Sequence, residues 1–227
     1  MRGELSSGAF AKRHPLDWYV DEIWCARQLY RALDEAFEAD RSAGLDIWDP
    51  SAGLGNTVQA FWEIGFRCHL SDVVSNVAWA NFDGFDGLIR PHFVSADFLD
   101  VAAAPAPCTI VCNPPYSYKK VQGVGIAELF VRHALTLATG RVCMLLPNKW
   151  LSSQARYRLF MQDAPPAMVL HLTQRPSMPP GDRIHLMGNR AFRGGMIDYC
   201  WIVWDVQNPT APGETRTIWL PPLGGQA

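Results

Sequence analysis

The sequence lacks the marks of several protein classes. No apolar stretch is long enough to span a membrane. Residues 1–10 hold no basic start followed by an apolar run, so no signal peptide is read there. The six cysteines form no CxxC pair, and no His or Cys cluster has ligand spacing, so no metal site is expected. There is no internal repeat and no low-complexity run. An excess of charge of one sign is also missing: the net charge is -2, with 19% charged residues, and global disorder is not indicated. The default expectation is a soluble cytoplasmic protein without a membrane partner; the sequence leaves the oligomeric state open.

What is present suits one α/β domain. The chain has 227 residues and is 48% hydrophobic, enough for one buried core and too short for two. Residues 1–16 read as a flexible N-terminal segment, 17–220 as a single domain and 221–227 as a flexible tail. Cys25, Cys68, Cys108, Cys112, Cys143 and Cys200 mostly sit in apolar segments, as small buried hydrophobes in a reducing compartment. The small net charge hides an asymmetry. Residues 115–195 hold eleven Lys and Arg against three Asp and Glu; the rest of the chain holds nine against nineteen. A basic region in an acidic protein is an electrostatic footprint for a polyanion, although scattered surface charge gives the same count.

Periodicity predicts a helix over 17–38, with Trp24, Leu29, Leu33 and Phe37 on its apolar stripe. Strands are predicted over 45–48, 66–70, 92–95, 109–112, 142–146, 168–172 and 199–204, and helices over 56–64, 126–138 and 150–161. Strands alternating with helices imply a mainly parallel sheet flanked by helices. Ligands of such sheets sit at the carboxyl ends of the strands, where the polar signals of this chain fall.

The first signal is Asp49-Pro50-Ser51-Ala52-Gly53-Leu54-Gly55, a glycine turn between a strand and a helix. Gly53 and Gly55 permit positive φ and close approach of a ligand to the backbone. The helix N-terminus beyond them suits a carboxylate. Val58 stands where a dinucleotide fingerprint has its third glycine, which weakens a nicotinamide or flavin reading. Asp72 follows the next strand, seventeen residues after Gly55, where a carboxylate accepts ribose hydroxyls. Asp97 follows the third strand and is placed to accept from an exocyclic amine, with Phe98 packing on a purine face. Each acid alone reads equally as a helix cap; together they outline a nucleoside-shaped site.

The sharpest signal is Asn113-Pro114-Pro115-Tyr116 at the end of the fourth strand. Two prolines stiffen the loop and remove its backbone donors. The Asn113 side-chain oxygen and the Pro114 carbonyl remain as acceptors for the two hydrogens of an aryl amine. That pairing favours a pyramidal nitrogen and frees its lone pair. Tyr116 offers a face on which a planar substrate stacks.

Taken together, 18–205 resembles the DNA N6-adenine methyltransferases, and in its C-terminal part their small phage-type members. The resemblance implies a Rossmann-like class I methyltransferase fold, S-adenosylmethionine as donor, and a flipped adenine in DNA as acceptor. It places Asn113, Pro114, Pro115 and Tyr116 in the catalytic tetrapeptide. It assigns cofactor contacts to Trp18, Tyr19, Asp49, Pro50, Ser51, Gly53, Gly55, Asp72, Asp97, Phe98 and Asn113. Lys119, Lys120, Lys149, Arg175, Arg183, Arg190 and Arg193 become candidate DNA contacts. Two features depart from the pattern. Only about twenty residues follow the last strand, too few for a separate target-recognition domain. Met178 stands where related sequences often carry an aromatic residue. The same chemistry on RNA adenine or a protein glutamine, or a silent cofactor-binding subunit, stays open.

Overall fold

The computed structural model describes residues 14–83, 87–116, 120–121 and 123–223. In chain order the elements are α1 (Ile23–Ala32), α2 (Asp34–Ser42), β1 (Asp46–Asp49), α3 (Asn56–Trp62), β2 (Cys68–Asp72), β3 (His92–Ser95) and β4 (Cys108–Cys112). There follow β5 (Lys120–Val121), β6 (Val124–Gly125), α4 (Ile126–Leu137), β7 (Arg141–Pro147), α5 (Gln154–Arg158), β8 (Met168–Leu172), α6 (Ile184–Met187), β9 (Tyr199–Asp205) and β10 (Arg216–Leu220). No described helix is long and apolar enough to cross a membrane.

Eight strands form one sheet in the order β10-β8-β9-β7-β4-β1-β2-β3. β9 runs antiparallel to β7 and β8, and every other pairing within this sheet is parallel. β5 and β6 form a separate two-stranded ribbon. The chain builds outward from β1 to β3 and then returns to β4 beside β1. That reversal opens a crevice at the carboxyl ends of β1 and β4.

Strand alternation divides the core between the two faces. Ile47, Val111, Cys143, Leu145, Trp201 and Val203 pack on one face with Leu29, Phe37 and Phe61 of α1, α2 and α3. Trp48, Ile110, Cys112, Met144, Cys200 and Trp204 pack on the other with Phe130 and Val131 of α4. A polar clamp ties α2 to the sheet. Asp40, 4% exposed, accepts from Thr109 Oγ1 at 2.6 Å and from Arg141 Nη1 at 2.5 Å. All six cysteines are free and buried, and burial pushes the Cys108 and Cys200 thiols up to about 12.

The structure corrects two expectations and adds a strand. The helix over 17–38 starts only at Ile23 and breaks at Leu33, whose φ is -134°. Between a turn closed by Asp17 N donating to His14 O and the start of α1, the chain instead pairs with the stretch near residue 180: Val20 N donates to Pro179 O and Gly181 N to Trp18 O. The helix over 150–161 is a 3₁₀ turn (Asn148–Leu151), then α5, then a π turn (Leu159–Asp163). The added strand is β10, an edge strand with only Leu220 buried, so it carries no buried alternation for a sequence pattern to reveal. Residues 1–13 and 224–227 of the expected flexible ends lie outside the described residues.

Candidate active site

The carboxyl ends of β1 to β4 enclose a cavity of about 280 Å³. Its floor is the turn after β1. Asp49 Oδ1 accepts from Ser51 N at 2.9 Å, which folds the turn back on the strand. Ser51 Oγ donates to the Asn113 carbonyl at 3.1 Å, which ties this turn to the loop after β4. Gly53 has φ +51°, and a Cβ there would stand 3.0 Å from Trp18 Nε1. On the far side a Cβ on Gly181 would fall 2.1 Å from the same indole. Trp18 is therefore seated between two positions that only glycine fills. Its Nε1 is buried and meets no acceptor among the described residues.

The carboxylates of the cavity serve the turn as well as its interior. Asp72 Oδ2 accepts from Gly53 N at 2.9 Å, and Asp97 Oδ1 accepts from Leu99 N at 3.1 Å as a helix cap. Asp17, Asp21, Asp72 and Asp97 line the cavity, and no Lys or Arg does so among the described residues. Burial raises the carboxyls of Asp21 and Asp72, and Asp49 further still beside those two charges. The sign matters. An acid whose pKa is raised by folding costs stability once pH rises through that pKa and the group ionises. A cation in the cavity offsets that cost, so these carboxylates suit a positively charged ligand.

The loop after β4 stands between this cavity and a second one of about 720 Å³. Asn113 and Pro115 line the first; Tyr116 lines the second, and Tyr19 borders both. Asn113 Nδ2 donates to Tyr19 O at 3.2 Å and to Asp21 Oδ1 at 3.3 Å. Its Oδ1 accepts from the Tyr116 hydroxyl. Asp17, itself held at φ +54°, accepts from Tyr116 N through Oδ2 at 3.1 Å. Tyr116 packs at 6.0 Å from Tyr199, and burial pushes its phenol well above the usual range. The second cavity is of opposite character. Lys149, Arg156, Arg190 and Arg193 line it with Met178, and no Asp or Glu does among the described residues.

The sequence-assigned residues divide clearly. Trp18, Tyr19, Pro50, Ser51, Gly53, Asp72, Asp97, Phe98 and Asn113 all border the first cavity. Asp49 and Gly55 stand behind the turn. Asp49 is buried, and Gly55 (φ +91°) packs on the Phe82 ring, where a Cβ would fall at 3.0 Å. Phe98 is 1% exposed, its ring held by Trp48 and Phe130 at 5.5 and 4.9 Å. Pro114 is buried within the loop. Lys149, Arg190 and Arg193 reach the second cavity. Arg175 is paired with Asp198 at 2.6 Å, and Arg183 lies 3.9 Å from Asp182. Lys120 opens β5, and Lys119 lies outside the described residues.

Sequence reasoning did not single out Arg156, which lines the second cavity. Its guanidinium lies 3.7 Å over the Trp150 ring and pairs with Glu128 at 2.8 Å. Only the local basic excess hinted at it, because its partner sits on a different helix.

No protein-family model matches the chain, and neither does any curated protein. Solved structures do match in fold. The type IIG restriction endonuclease BpuSI superposes with TM-score 0.61 at 14% identity, over 84% of this chain and 25% of its own. The DrdV–DNA complex gives 0.59 at 13%, over 94% and 28%. A Listeria monocytogenes protein described as a class I S-adenosylmethionine-dependent methyltransferase gives 0.58 at 11%, over 84% and 64%. This chain thus spans less than two thirds of each of these three. It has the Rossmann-like class I methyltransferase fold.

Proposed function

We propose that this chain transfers a methyl group from S-adenosylmethionine to the N6 amine of adenine in DNA. One observation carries the reading: an acidic cavity and a basic cavity meet at the Asn113–Tyr116 loop. The first suits a cationic donor and the second a polyanionic acceptor. When bound, S-adenosylmethionine supplies an electrophilic methyl group on a sulfonium. The fold of the restriction endonuclease and of the DNA complex above is consistent with this.

The residues of the chain divide the work. Gly53 and Trp18 admit the donor close to the backbone, and Asp72 accepts from its ribose. Asn113 Oδ1 and the Pro114 carbonyl hold the amine, with the Tyr116 ring against the base. The Tyr116 hydroxyl, which bonds Asn113 Oδ1 in this structure, gives way to the amine. No strong base is needed, because the proton leaves after transfer. Orientation of the two partners supplies much of the acceleration.

Two measurements follow. Asp72→Ala removes the ribose acceptor and the partner of Gly53 N, so donor affinity should fall by about 1.5–3 kcal/mol. Calorimetry returning native affinity would remove Asp72 from the donor site. DNA affinity of the native protein should fall steeply with salt, with a log–log slope of roughly -0.9 per phosphate contact. Lys149→Ala, Arg190→Ala and Arg193→Ala together should flatten that slope by about two to three units. A native slope near zero would point to a peptide acceptor.

A further inference from the structure

A side-chain amide is unsymmetrical: its nitrogen only donates and its oxygen only accepts. The transfer chemistry proposed above needs the oxygen of Asn113 toward the acceptor. A half-turn about Cβ–Cγ would present the amide nitrogen to the incoming amine, donor against donor. Something must fix the amide one way round.

The neighbours of Asn113 fix it. On one side stand the Tyr19 carbonyl, 3.2 Å from Nδ2, and the Asp21 carboxylate, 3.3 Å from it. A carbonyl and an ionised carboxylate accept and never donate. On the other side stands the Tyr116 hydroxyl, which donates to Oδ1. The amide orientation therefore follows from the chemistry of the contacts rather than from a choice between similar atoms. Asp21 is itself held firmly. It is 7% exposed, Thr57 Oγ1 donates to its other oxygen at 3.1 Å, and Asn56 Nδ2 donates to its carbonyl at 2.7 Å. The first turn of α3 thus anchors the carboxylate that orients the amide.

We infer that Asp21 is a positioning residue: it sets the rotation of the Asn113 amide so that Oδ1 meets the acceptor amine. This rests on the methyl-transfer reading above. It carries a consequence that a packing role does not. Asp21→Asn keeps the shape but turns the logic round. With the Thr57 hydroxyl donating as it does to Asp21 Oδ2, the new amide is held by its oxygen, which leaves an NH₂ facing the NH₂ of Asn113. Asn113 then rotates, and its oxygen leaves the acceptor. Asp21→Ala removes one acceptor and leaves the Tyr19 carbonyl to hold the amide in its native sense. The isosteric change should therefore harm turnover more than the truncation.

The experiment uses the full chain with four variants: D21N, D21A, N113D and the exchange D21N/N113D. Methyl transfer to DNA is expected to fall roughly 100-fold in D21N, as for one misplaced polar group at a reacting centre. It should fall about tenfold in D21A, the loss of one hydrogen bond. N113D sets two buried carboxylates face to face and should be poor. The exchange pairs the new amide with the new carboxylate, whose second oxygen still accepts from Tyr116; its first oxygen now also faces the Tyr19 carbonyl, acceptor against acceptor, so turnover should recover only in part, to above the worse of the two single variants. Donor affinity, read by calorimetry, should change less than turnover in D21N. Unfolding midpoints of the donor-free proteins read the same pairing without catalysis. D21N and N113D should each lower the midpoint, and the exchange should lower it by less than the sum of the two.

D21A transferring more slowly than D21N, or an exchange no better than the worse single variant, would overturn the inference. If the midpoints show the coupling while native protein methylates no acceptor, the pairing stands and the methyl-transfer reading fails. Those two failures are distinct.

Discussion

Asn113→Ala is expected to lower turnover by about 10²–10³-fold, by analogy with the loss of one oxyanion-hole donor. The side chain is assigned to the target amine, so donor affinity should change far less than the rate. The bonds around it explain both parts. Its main-chain carbonyl, untouched by the substitution, keeps the hydrogen bond from Ser51 Oγ that joins the loop to the donor turn. Its side-chain oxygen, the group facing Tyr116, is lost. The fold pays more than a loop position suggests, because truncation also strips a donor from buried Asp21. A buried acceptor left short of a partner costs about 1–3 kcal/mol. Rates per folded molecule, with donor affinity by calorimetry and stability by urea, separate these effects. A variant that transfers methyl at the native rate would remove Asn113 from catalysis.

Asp40→Ala should have the largest effect on stability, roughly 3–5 kcal/mol, the range for breaking a buried pair by removing one partner. Arg141, with 15% of its side chain exposed, would keep only the Ala36 carbonyl and the weaker contact to Asp205 at 3.4 Å. Thr109 Oγ1 would lose its acceptor in the core. The clamp lies at the amino end of β4 and β7, away from the donor turn, so turnover per folded molecule should stay native. Urea unfolding with a midpoint unchanged from native would show that the clamp contributes nothing net.

The parts of the fold legible in the sequence are those with strong apolar patterning. β1, β4, β7 and β9 are almost wholly buried, and α4 buries a continuous stripe from Ile126 to Ala134. The first helix misled because Leu29, Leu33 and Phe37 keep helical spacing across the break: α1 and α2 pack on the same core. The extended stretch before α1 is set by partners near residue 180, which no local pattern reveals. At the site, Asn113 and the glycine turn were readable because their chemistry lies in contiguous residues. Asp21 and Arg156 were not. Their contacts are with partners 92 and 28 residues away, brought close only by the sheet and by α4.

The most direct test of the central claim is transfer of labelled methyl from S-adenosylmethionine, offered separately to plasmid DNA, total RNA and protein extract. Product digestion and chromatography then identify the methylated nucleoside or amino acid. The two-cavity account predicts N6-methyladenine in the DNA sample, lost in Asn113→Ala and retained in Tyr116→Phe, whose ring still faces the base. Label confined to RNA adenine or to glutamine, or no transfer to any acceptor by protein that binds the donor, would contradict it.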